Sequence, residues 1–146
     1  MSDFRFLSKD FAASPQISGA DVDEARQRGF AMIVNNRPEQ ESQDQTPGSD
    51  IEAAARAAGL AYVAIPISHS GFSEAQVDAL VNALKRAEGP VLAYCRSGTR
   101  STLLWALAQA RLGKDPATVA SQARAAGYDV TPISPLMDML FARSQA

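Results

Sequence analysis

Three apolar runs recur about every thirty residues: Phe30-Ala31-Met32-Ile33-Val34, Leu60-Ala61-Tyr62-Val63-Ala64-Ile65 and Val91-Leu92-Ala93-Tyr94. None alternates apolar with polar side chains. Each therefore reads as a strand covered on both faces, the habit of strands in a parallel sheet. Helical stretches separate and follow them. Ser18 stands as the N-cap of a helix through Arg28, stopped by Gly29. Ser49 or Asp50 caps a helix over 51–58, closed by Gly59. Ser73 and Gln76 make a capping box, followed by Val77, Leu80, Val81 and Leu84 on one stripe. Further helices are predicted from about Ser101 to Leu112, over 116–126, and over 135–142 with Ser134 as N-cap. A short segment over 4–7 opens the chain. Strand–helix alternation of this kind implies an α/β domain in three layers, a parallel-type central sheet flanked by helices.

The chain has 146 residues, the length of one domain. A formal net charge of −2 leaves no basic footprint for nucleic acid. No apolar run reaches the ~18 residues of a membrane span, and Met1-Ser2-Asp3-Phe4-Arg5-Phe6 lacks a secretory core. The expectation is a cytoplasmic protein with no membrane partner. There is one Cys and one His, which excludes an internal disulfide and the usual zinc ligand sets. No metal or cofactor is expected, and nothing in the sequence speaks to oligomeric state.

In open α/β sheets ligands bind beyond the carboxyl ends of the strands. Here those ends are Asn36-Arg37-Pro38, residues 66–71, and Cys95-Arg96-Ser97-Gly98-Thr99-Arg100, so one edge gathers the Cys, the His and three arginines. The last segment joins a buried strand to a helix start, where successive N–H groups and the helix dipole cradle an anion. Cys95 at the head of that loop feels the same field, which favours a thiolate. Arg100 offers a bidentate fork to an oxyanion. Ser101, or Thr102 beside it, is expected to donate a hydrogen bond to the sulfur. The pattern is that of covalent cysteine catalysis, with Cys95, Arg100 and Ser101 catalytic and Arg96, Ser97, Gly98 and Thr99 binding the anion. The plain alternative is a core cysteine at a strand end, opposed by the polar residues that follow it.

The string Cys95-Arg96-Ser97-Gly98-Thr99-Arg100-Ser101 is similar to the active loop of rhodanese-like sulfurtransferases. The chain as a whole resembles the bacterial beta-lactamase hydrolase-like, phosphatase-like domain family. That likeness rests on Gln16-Ile17-Ser18, Val34-Asn35-Asn36-Arg37-Pro38, Ala58-Gly59-Leu60-Ala61-Tyr62-Val63, Ile65-Pro66-Ile67 and the Tyr94–Ser101 segment, over roughly residues 4–115. The segment 116–146 carries little of it. The resemblance implies the fold of protein tyrosine and dual-specificity phosphatases, whose signature is Cys-x5-Arg.

Two departures stand out. Four residues, not five, separate Cys95 from Arg100, and the loop expected to hold a general-acid Asp reads Ser68-His69-Ser70. His69 is either that acid or an idle loop histidine. Arg37 braces the anion loop or binds substrate, or else pairs with Glu39 or Glu41 on the surface. The polar stretch 39–49 is either a functional excursion or a solvated loop. Three readings follow. The first is a phosphatase-like hydrolase with a cysteinyl-phosphate intermediate, acting on a phosphoester or small oxyanion. The second is a sulfurtransferase that passes sulfane sulfur through a Cys95 persulfide to an external thiol. The third is a non-catalytic anion-sensing domain.

Overall fold

The computed structural model describes residues 2–146. Five strands, β1 (Arg5–Ser8), β2 (Phe11–Ser14), β3 (Met32–Asn35), β4 (Ala61–Ala64) and β5 (Val91–Tyr94), form one sheet in the order β1-β2-β5-β3-β4. β2, β5, β3 and β4 run parallel, and β1 is an antiparallel edge. The mixed α/β architecture agrees with the sequence reading; the strand count does not. Two strands go beyond the three apolar runs: β1 lies on the short opening segment, and β2 is Phe-Ala-Ala-Ser, in which alanine has no intrinsic strand preference. Its place is set by pairing with β5 and by burial, since Ala12 and Ala13 are completely covered.

Among the described residues six helices cover the sheet: α1 (Gly19–Gln27), α2 (Gly48–Ala57), α3 (Glu74–Arg86), α4 (Thr99–Arg111), α5 (Pro116–Ala125) and α6 (Ser134–Ser144). Strand side chains alternate between two cores. Phe11, Ala13, Met32, Val34, Val91 and Ala93 pack with residues of α3 to α6, including the buried Trp105. Ala12, Ile33, Leu92 and Tyr94 face the other way, with Val22 and Ala25 of α1 and Ile51 and Ala55 of α2. Among the described residues no helix is long and apolar enough to cross a membrane.

The Ser73–Gln76 capping box on α3 forms as read, and the Ser18 cap of α1 proves to be a second box, closed by Asp21. Three helix starts differ. α2 begins at Gly48, not after Ser49 or Asp50, because the carboxylate of Glu39 accepts the Gly48 N–H at 2.9 Å and does a cap's work from a distant loop. α4 begins at Thr99, two residues before Ser101, because Gly98 in the left-handed region (φ 91°) turns the chain directly into it. Ser134 does not cap α6. A 3-10 turn, Thr131–Ile133, leads into that helix without a side-chain cap.

Candidate active site

Register places the site. Ser14 and Asn35 both align with Tyr94, so β2, β5 and β3 end at one level, with Cys95 just past the central strand. The Cys95 N–H donates to Ser14 O at 3.3 Å and the Asn36 N–H to Tyr94 O at 2.8 Å. Asn36 is fully buried and bolts the strand ends together: its Nδ2 donates to Ile65 O at 2.9 Å, and its Oδ1 accepts from Ser101 Oγ at 2.7 Å. The Ser101 proton therefore goes to Asn36 in this structure and not to the sulfur. Thr102 Oγ1 donates instead to Gly98 O at 2.9 Å. Both hydroxyls fix the first turn of α4.

The group that reaches the sulfur is a backbone amide. The Gly98 N–H donates to Cys95 Sγ at 3.1 Å. A Cβ on residue 98 would collide with the Tyr128 hydroxyl, and φ is positive there, so glycine is required twice over. Ser97 and Thr99 tie their hydroxyls to each other at 3.0 Å, while Arg96 is exposed at the rim. Cys95 itself is buried.

Arg100 is held from a side the sequence did not suggest. Its Nη1 and Nη2 donate to the two oxygens of Glu41 at 2.6 and 2.9 Å, and Nη1 also donates to Ile67 O at 2.6 Å. A guanidinium has five N–H donors. The three bonds leave Nε–H and one Nη2–H, adjacent on one edge and suited to two oxygens of a tetrahedral anion. The bonds to Glu41 raise the Arg100 pKa against the opposing effect of burial, and the charge of the nearby Cys95 sulfur adds to the rise.

Glu41 belongs to the polar stretch 39–49, which is thereby part of the site. Arg37 is buried, not a surface residue. It donates Nε to Glu41 at 2.9 Å, Nη1 to Gln16 at 3.0 Å and Nη2 to Ser42 at 3.2 Å. The Glu41 pairing weighed for Arg37 thus forms, but buried and not on the surface, and Glu41 in turn accepts from Arg100. The hydrogen bonds from Arg100, and secondarily those from Arg37, hold the Glu41 carboxyl down at about 2 against the opposing effect of burial. His69 is 87% exposed, its Nε2 4.0 Å from Glu41 Oε2. Beside Arg100 opens a cleft of about 340 Å3 whose walls include Phe72, Leu103, His69, Arg96 and Thr99.

Around Cys95 and Arg100 the structure gathers three further residues: Glu41, named from sequence only as a surface partner of Arg37, and Asn36 and Tyr128, to which sequence reasoning gave no role. The length of the 39–49 stretch and the Arg37–Glu41 spacing were the available signals for Glu41. Asn36 and Tyr128 matter only through contacts 29 or more residues away in the chain.

Comparison with known proteins follows the same line. The family described as "Beta-lactamase hydrolase-like protein, phosphatase-like domain" matches residues 3–112. A beta-lactamase hydrolase-like protein of Xylella fastidiosa (strain Temecula1) is 41% identical over 107 residues, covering 70% of this chain and 24% of that protein. The chain thus spans about a quarter of the length of that relative. A candidate phosphatase from Neisseria meningitidis Z2491 superposes with a TM-score of 0.83 at 29% identity, covering 96% of this chain and 99% of its own. P. aeruginosa TpbA, solved in complex with phosphotyrosine, shares the fold with a TM-score of 0.69 at 17% identity over 98% of this chain and 90% of its own.

Proposed function

Because this chain belongs to the phosphatase-like domain family of beta-lactamase hydrolase-like proteins, we propose that it is a cysteine-dependent phosphatase of aryl phosphomonoesters. The observation that carries the reading is the convergence of the Gly98 amide and the Arg100 guanidinium, with two of its five N–H donors free, on one buried cysteine. Cys95 Sγ attacks phosphorus as a thiolate, and the phosphorus–oxygen ester bond breaks, releasing an aryloxide that solvent protonates. Water then attacks the cysteinyl-phosphate, returning the thiolate and freeing inorganic phosphate. Through the pentacoordinate states the free Arg100 edge and the loop amides take the equatorial oxygens.

The choice of aryl esters rests on the leaving group. General-acid catalysis is typically worth 10²–10⁴-fold, and most where the leaving oxygen is strongly basic. The 68–70 loop presents no carboxylate, and His69 stands largely in solvent. A phenolate leaves without that help far more readily than an alkoxide. Phe72 and Leu103 give the cleft apolar walls on which an aromatic ring can lie. The phosphotyrosine bound by TpbA, a protein of the same fold, is consistent with this substrate class.

A second reading is favoured by one observation, the four-residue spacing between Cys95 and Arg100. A shorter loop suits a persulfide sulfur, and transfer between thiolates needs no general acid. In that chemistry Cys95 takes a sulfane sulfur from a donor and an external thiolate removes it. Two assays on wild type and Cys95→Ser separate the readings. One follows phosphate release from an aryl phosphate; the other follows thiocyanate from thiosulfate and cyanide. Phosphate release that disappears in Cys95→Ser is expected. Turnover confined to the second assay would refute the phosphatase reading.

A further inference from the structure

Cys95 has a backbone donor, and that donor is itself held from outside the family-matched segment. The Gly98 N–H aimed at the sulfur and the Ser97 C=O belong to one peptide unit, planar and trans, so the two groups point in opposite directions. On the sulfur side the N–H donates at 3.1 Å. On the far side Ser97 O accepts from the Tyr128 hydroxyl at 3.3 Å. Tyr128 follows α5, beyond the 3–112 match, and is nearly buried. Its hydroxyl lies against Gly98, filling the space a Cβ would take. The ring is held in turn: the Arg5 guanidinium of β1 lies 5.4 Å from its centroid, and the Tyr128 N–H donates to Ala123 O at 2.9 Å.

We propose that Tyr128 is a positioning residue for the Cys95 loop, holding the Ser97–Gly98 peptide so that its N–H stays on the Cys95 sulfur. A hydrogen bond accepted by a peptide carbonyl polarises the whole unit and strengthens the N–H on the other side. It also opposes rotation of that peptide, the motion that would remove the amide from the sulfur. Burial raises the phenol pKa of Tyr128 from its ordinary value, against the opposing charge of Arg5, so the hydroxyl remains a donor across the neutral range. Charged neighbours on the β1 side are Arg5 and Asp3, and on the loop side the Cys95 sulfur. Segment 116–146, which carries little of the family resemblance, thus contributes to the site.

The inference rests on Cys95 acting as a thiolate, as in the proposed function, but its test needs no phosphatase turnover. Alkylation of the folded protein by iodoacetamide is followed against pH for wild type and Tyr128→Phe, which keeps the ring and removes the hydroxyl. The expected result is slower alkylation near neutral pH, on the order of five-fold, the factor of one ordinary hydrogen bond. The profile moves toward higher pH, and the Gly98 amide proton resonance shifts while thermal stability changes little. An unchanged alkylation profile and Gly98 resonance would overturn the proposal. So would a Tyr128→Phe protein that fails to fold, because the hydroxyl would then serve the fold and not the loop. If wild type labels as expected but releases no phosphate, the phosphatase reading fails and this one stands.

Discussion

The carboxylate of Glu41 is the most exacting test of the site, because one substitution separates its electrostatic role from its packing. Glu41→Gln keeps the shape of the side chain and one oxygen acceptor, but removes the charge that faces Arg100 and Arg37. A carboxyl lowered from 4.5 to about 2 contributes at most ~3 kcal/mol to stability at neutral pH. Solvent screening at a loop side chain reduces that to ~1–2 kcal/mol. The folded carboxyl titrates below the unfolded one, so this contribution is complete above about pH 4.5 and is lost as pH falls toward about 2. Urea unfolding of wild type and Glu41→Gln should therefore differ by ~1–2 kcal/mol at pH 7. At that pH the variant should melt roughly 2–8 °C lower. The difference should shrink steadily below pH 4.5. A gap of the same size at pH 3 and pH 7 would refute the electrostatic account and leave only a packing defect. The same variant loosens Arg100, so more phosphate should be needed to protect Cys95 from alkylation. Protection at an unchanged concentration would mean that Glu41 does not orient the guanidinium.

Other substitutions test neighbouring joints. Arg100→Lys replaces a planar fork by a point charge and should lower kcat/KM on an aryl phosphate by about 10²–10³-fold, the loss of an oxyanion donor; full activity would remove Arg100 from the anion site. Gly98→Ala meets both a positive φ and the Tyr128 hydroxyl, and should cost about 1–3 kcal/mol in urea unfolding. Tyr128→Phe should relieve part of that cost, and strict additivity of the two changes would contradict their contact. Asn36→Ala leaves Ile65 O and the Ser101 hydroxyl without their partner and should destabilise by about 1–3 kcal/mol. Thermal melting of the variant within 1 °C of wild type would show that the bolt across the strand ends is dispensable.

Much of the fold and the shape of the candidate anion loop were legible in the sequence, for a local reason. Buried parallel strands need unbroken apolar runs, capping boxes need Ser with Asp or Gln three residues on, and an anion loop needs a glycine where the chain turns left-handed into a helix. All of those requirements act within a few residues, so β3, β4, β5, the starts of α1 and α3, and the Cys95–Arg100 loop could be read from composition and spacing. What the tertiary structure alone decided is everything settled by partners far apart in the chain. Phe11-Ala12-Ala13-Ser14 became a strand because β5 offered it hydrogen bonds and cover, not because alanine prefers that conformation. Ser101, read as a donor to the sulfur, gives its proton to Asn36, which is 65 positions away. Arg100 meets Glu41 across 59 positions and the Ser97 carbonyl meets Tyr128 across 31. No local propensity encodes such pairings. They arise because the sheet brings its strand ends to one level, and because a buried charge or carbonyl at that edge takes whichever partner the loops and C-terminal helices deliver.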